Sequence, residues 1–99
     1  MPQQNLAGKD LSHANLDHTD LAGANLRDAR MRDTYVREAD LSGADLTGAD
    51  LTGADLRGSC LEGATVAGAT LDGADLRGAD LTEVDLDAAA SGVAPADPA

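Results

Sequence analysis

The chain has 99 residues and carries 18 acids against 7 bases, a formal net charge of −11. That balance argues against direct binding of nucleic acid, whose phosphates need Lys and Arg, and favours basic partners. One aromatic, Tyr35, with no Phe and no Trp, excludes an ordinary globular core, and the single Cys60 excludes an internal disulfide.

The lone cysteine fits a reducing compartment. No apolar run reaches the length of a signal h-region or a membrane span. The expectation is a cytoplasmic protein without membrane contact.

A period of five runs from Leu6 to Leu86. Every fifth residue is apolar. It is Leu except at Met31, Val36 and Val66. Two residues before 14 of these 17 centres stands a small residue, Ala in 11 cases. Ten of the 11 glycines lie two residues after a centre. In an α-helix a step of five turns the side chain by about 140°, so the leucines would spiral round every side. In a flat strand the same step reverses the face each time. The pattern yields a core only if the chain turns one corner per repeat, always in the same sense. Glycine supplies that corner, because it accepts positive φ without steric cost. Asp or Asn ahead of the centre also favours tight turns.

In chain order, the first coil is irregular. Gln4 and Lys9 stand where later repeats have the small inward residue, so this coil is read as the N-terminal cap. His13 and His18 fall on successive corners, which diverge, so no metal site is expected there.

Arg27–Glu38 (RDARMRDTYVRE) is a second irregular coil. Asp28, Asp33 and Glu38 replace the corner glycine, which predicts turns of another type. Its Arg27, Arg30, Arg32, Tyr35 and Arg37 form a candidate binding spot. There Tyr35 would stack, and the arginines would grip an anion or a partner's carboxylates.

Residues 39–58 read ADLSG, ADLTG, ADLTG, ADLRG. These stretches resemble the consensus of pentapeptide-repeat proteins, and the resemblance extends over residues 4–88. It implies an all-β fold, a right-handed quadrilateral β-helix of about four coils. Four repeats make one square coil, and the centre and the small residue two before it point inward. Residues 1–88 form the solenoid, roughly 20 Å tall at one β spacing per coil. The Ala/Pro-rich residues 89–99 are expected to form a disordered tail. A weakly capped last coil would expose apolar centres and a strand edge, which points to an end-to-end homodimer.

A coil of 20 residues places residues twenty apart in columns. The four faces, named by their first centres Leu6, Leu11, Leu16 and Leu21, carry net charges of −3, −2, −1 and −5. The Leu21 face, with Asp20, Asp40, Glu62, Asp80 and Glu83, has no base. Like charges one coil apart repel, so this face is either turn chemistry screened by solvent or a surface that mimics DNA.

The residues contain no catalytic triad, phosphate loop or cofactor motif. They point to a non-enzymatic interaction rod whose protein partner the sequence does not name. An alternative, implied by resemblance to longer members of the family, is a DNA mimic acting on a type II topoisomerase such as DNA gyrase. A third is an accessory protein that binds a small molecule.

Overall fold

A leucine at every fifth position can reach a common axis only if the chain bends once per repeat. The computed structural model, which describes residues 4–89, shows how. The bend starts at each centre. The N–H of Ala29 donates to Leu26 O at 3.1 Å, that of Ala44 to Leu41 O at 3.0 Å, and that of Ala54 to Leu51 O at 2.9 Å. The third residue of each turn is left-handed, with φ between 67° and 76° at the ten corner glycines. A turn closed from first to fourth residue, with positive φ only at the third, is type II.

The residue ahead of each centre locks this turn. Wherever it is Asp or Asn, its Oδ1 accepts the N–H two residues on. Examples are Asp20 from Ala22 at 3.1 Å, Asp45 from Thr47 at 3.0 Å and Asp80 from Thr82 at 3.0 Å. The Asx turn is therefore the local reason for the acid at this phase.

Four such corners close a coil, and successive coils pair in parallel twenty residues apart, from Asn5 with Asn25 to Cys60 with Asp80. Each side offers one bridged residue, so the sheets are stacks of single bridges rather than long strands. The centre N–H donates up one coil, as Leu46 does to Thr65 O at 2.7 Å. The corner N–H does the same, as in Gly48 to Ala67 O at 2.8 Å. The residue ahead of the centre donates down, as in Asp45 to Ala24 O at 2.9 Å.

Inside the coils lie Leu26, Met31, Val36, Leu41, Leu46, Leu51 and Leu56, fully buried with the alanines two before them. Thr34 and Ser59 replace alanine without orphaning a hydroxyl. Thr34 Oγ1 donates to Leu11 O at 3.0 Å and Ser59 Oγ to Leu56 O at 2.7 Å. The apolar interior leaves a void of only about 10 Å³. At the N-terminal end Leu6, Leu11 and Leu16 are half-buried. Gln4 and Lys9, expected at inward positions, are exposed. Among the described residues no coil lies beneath them to form a core at that level.

At the other end a single 3-10 turn, Leu86–Ala88, is capped by the Asp85 side chain and tied to the coil below by Gly68 N–H on Ala88 O at 2.9 Å. The expected tail falls outside the described residues from residue 90 onward. Among the described residues no helix is long and apolar enough to cross a membrane.

The expectation of a different turn at Asp28, Asp33 and Glu38 is overturned. Their φ values, 59°, 57° and 56°, lie in the glycine region, as do those of His13, His18 and Glu83. The coil-to-coil ladder imposes the corner, since Asp28 and Asp33 still donate to Thr47 O and Thr52 O. Each such residue carries strain of about 1–2 kcal/mol that the stack overrides.

These acids also explain which glycines are needed for space. A Cβ at Gly48 would collide with the Asp28 carboxylate, whereas at Gly43 it would meet nothing within 4 Å. Gly43→Ala should cost about 1–2 kcal/mol through φ alone. Gly48→Ala should cost more, and the excess should disappear in an Asp28→Gly background. Urea unfolding of the four variants measures both; equal losses at Gly43 and Gly48 would refute the steric role of Asp28.

Candidate functional site

The coil architecture decides which charged side chains meet. On the Leu21 face it stacks Asp20, Asp40, Cys60 and Asp80 in one column. Glu62 lies beside the upper part of that column. The ligand atoms of Cys60, Glu62 and Asp80 fall within 4.8 Å of one another. Cys60 is half-buried and the two acids are exposed, as at any acid-rich surface, and among the described residues no further ligand joins them. Glu83 sits on the adjoining left-handed corner. Asp20 and Asp40 are thus adjacent, Asp80 lies two coils above Asp40 beyond Cys60, and Glu62 and Glu83 flank the upper end.

The aspartates of the column are already engaged. Asp40 accepts the Ser42 N–H and hydroxyl at 3.0 and 2.6 Å, and Asp80 the same two groups of Thr82 at 3.0 and 2.6 Å. These bonds, the hydroxyl first, hold both carboxyls below the usual Asp range. Turn chemistry therefore accounts for each Asp of the column.

The irregular coil does not make one spot. It distributes its basic residues over three faces. Arg27 reaches up to Asp45 at 3.1 Å on the Leu6 face, and Arg32 to Asp50 at 3.4 Å on the Leu11 face. Arg30 shares that second face, where it lies against Asp10. Only Tyr35 and Arg37 come together, on the Leu16 face. Tyr35 is 47% exposed, and the Arg37 guanidinium lies 5.4 Å from its ring centre, a cation–π distance.

The residue that organises this pair is Asp17, twenty before Arg37. Tyr35 stands where other repeats have the Asx acceptor, so Arg37 N–H has no Oδ1 in its own repeat. Asp17 supplies one from the coil below at 2.8 Å. The same carboxylate takes Arg37 Nε at 3.1 Å and Nη2 at 2.6 Å. Those contacts, the side-chain bond first, lower the Asp17 carboxyl and raise Arg37 above its ordinary value. Asp17 is a residue that the sequence reading did not single out. The signal was its position one coil before an arginine whose repeat lacks Asp or Asn.

Above Arg37 the same column continues with Arg57 and Arg77. Beside it Gly58 and Gly78 leave a surface groove of about 360 Å³, lined also by Glu38. The histidines occupy separate corners. His13 Nδ1 faces Asp33 at 4.0 Å and His18 Nδ1 faces Glu38 at 3.5 Å, all four side chains exposed.

The carboxylates give the solenoid a defined acid sensitivity. Asp10, Asp17, Asp40, Asp45, Asp50, Asp55 and Asp80 all sit below the model-peptide 3.8 in the folded chain. Asp75 is held at about 2, chiefly by the Arg77 side chain. The unfolded chain therefore binds more protons in this window. The stabilisation is complete above pH 3.8 and is lost as pH falls toward about 2. Urea midpoints should be flat from pH 7 to pH 5 and should drop below pH 4. A midpoint that rises on acidification would mean that relief of acid–acid repulsion outweighs the turn bonds.

The profile of the family described as Pentapeptide repeats matches residues 3–33, 29–66 and 59–90, with eight copies. No curated protein matches the sequence. Among solved structures, alr5209, a pentapeptide repeat protein from Nostoc PCC 7120, is 33% identical with a TM-score of 0.61, over 88% of this chain and 74% of that one. HetL of the same cyanobacterium, involved in heterocyst differentiation regulation, is 33% identical with a TM-score of 0.46, and the match spans 94% of this chain and half of HetL. QnrB1, a plasmid-mediated fluoroquinolone resistance protein, is 18% identical with a TM-score of 0.49, over 86% of this chain and 56% of that one. The chain belongs to the pentapeptide repeat family and forms its right-handed quadrilateral β-helix.

Proposed function

We propose that the chain is a non-enzymatic interaction rod that docks a protein partner through the Leu16 face, with Tyr35 as anchor. The observation that carries this reading is Tyr35 itself, the exposed large hydrophobic among the described residues, held beside a guanidinium that Asp17 fixes in place. An aromatic ordered before binding loses little entropy on contact, which is the character of an interface hot spot. The interior void of about 10 Å³ does not favour a small-molecule role. The carboxylates at the Asx phase are committed to turns, which does not favour acid–base catalysis.

A photo-crosslinking residue at Tyr35, compared with one at Asp72 on the Leu11 face, tests the reading in cells that express the chain natively. Specific adducts are expected at Tyr35 and not at Asp72. Against a purified partner, Tyr35→Ala should weaken binding by more than about 1 kcal/mol, roughly five-fold. No adduct above the Asp72 control would remove Tyr35 as an anchor.

A second reading rests on the stacked Asp20, Asp40 and Asp80 with Glu62, a column of one sign. Such a surface suits a protein that binds DNA, with DNA gyrase as the candidate. Supercoiling by gyrase in the presence of the chain is the test. Asp40→Asn with Asp80→Asn removes charge while keeping the turn acceptors, and it should abolish any inhibition or protection. An effect that survives both substitutions would assign the acids to the fold alone.

A further inference from the structure

The Leu16 face carries two columns of opposite character at one pitch. Asn15, Tyr35, Asp55 and Asp75 are bridged one above another, and Asp17, Arg37, Arg57 and Arg77 stack beside them. Neighbours within a column are one coil, about 4.8 Å, apart.

Each arginine is oriented by an aspartate through the same two nitrogens. Nε and Nη2 lie 3.1 and 2.6 Å from Asp17 in Arg37, 2.8 and 2.7 Å from Asp55 in Arg57, and 3.0 and 2.8 Å from Asp75 in Arg77. Among the described residues no acceptor meets Nη1 in any of the three. Glycine at positions 58 and 78 keeps the flank of the column open as a groove. The result is a row of fixed donors beside a row of carboxylates. Its net charge is only −1 in a chain of −11.

We propose that this face binds a second copy of the chain, side by side and parallel, about a two-fold axis running along the rods. The assignment rests on the docking reading of the Tyr35 face and names its partner. Rotation about that axis exchanges left and right but keeps height. The arginine column of each copy then faces the aspartate column of the other, coil against coil, with Arg57 level with Asp55 of the second copy. Tyr35 comes level with the second copy's Arg37, beside which a ring of the same kind already packs within its own chain. An axis across the rods would set like columns together, which is unfavourable. The equal pitch lets Arg57 meet Asp55 and Arg77 meet Asp75 of the second copy at once, and the Nη1 donors meet these carboxylates without giving up their own aspartates. An interface of this type is isologous and closes at two copies. The contact is confined to one side of a rod of about four coils, less than the roughly 800 Å² per partner of a standard interface. The association is therefore weak and falls with salt.

Sedimentation velocity of the full chain under reducing conditions, over a concentration series at low and high salt, measures this. Wild type should move toward the dimer with rising concentration at low salt and return to monomer at high salt. Two variants then locate the contact. Asp55→Asn with Asp75→Asn keeps the turn acceptors but removes the negative column. Arg57→Gln with Arg77→Gln removes two of the three positive side chains. Each alone should be monomeric, with thermal melts by circular dichroism confirming that it folds. An equimolar mixture should recover part of the association, because one aspartate column still meets one column that keeps its arginine charges. A wild-type chain that stays monomeric at millimolar concentration and low salt overturns the proposal. So does a dimer that both variants retain, which would place the contact elsewhere, including the rod ends. A monomeric wild type that still cross-links from Tyr35 to a different protein would overturn this assignment and leave the docking reading standing.

Discussion

Everything in this structure depends on a corner every five residues, closed by a left-handed third residue and held by the coil above and below. The turn makes each side one repeat long, and four sides make a coil of 20. Coil-to-coil bonds such as Leu46 N–H to Thr65 O and Asp45 N–H to Ala24 O then fix the register. A shift of one residue would carry Leu46 out of the core and bring a polar neighbour in. The ladder is strong enough to hold Asp28, Asp33 and Glu38 in a conformation that non-glycine residues resist.

The same register turns a one-dimensional repeat into a surface of columns. The acidity of that surface has two origins. Asp40 and Asp80 are acceptors for the turn that follows them, and their charge comes with that role. Asp17 is different, because its own repeat already has Asn15 as the turn acceptor. It is free to serve the next coil, where Tyr35 has displaced the Asx residue, and so it fixes Arg37. A departure from the repeat at one position is thus compensated one coil away, and the compensation leaves an aromatic ordered at the surface.

On the Leu16 face that ordering extends upward. Arg57 and Arg77 are held through the same two nitrogens as Arg37, but by aspartates of their own repeats rather than one coil below, so all three guanidinium groups are fixed. A solenoid makes such repetition easy, since one local arrangement copied at each coil is aligned by the stack itself. A face built in this way recognises best a surface of the same pitch.

The solenoid, its core and its columns are legible in the residue pattern. The period of five, the glycine phase and the alanines two before each centre leave one arrangement that buries the leucines. The twenty-residue coil then places Asp20, Asp40, Cys60 and Asp80 in line. Only the tertiary structure decided how the irregular coil behaves. Its corners keep the left-handed turn because the neighbouring coils require it. Arg27 and Arg32 reach up to Asp45 and Asp50, while Arg37 reaches down to Asp17. The candidate cluster of Arg27, Arg30, Arg32, Tyr35 and Arg37 is split over three faces, with only the last two in contact. Column order follows from counting residues. The direction in which a long side chain reaches depends on which carboxylate is free one coil away, and that is settled by distances across the stack.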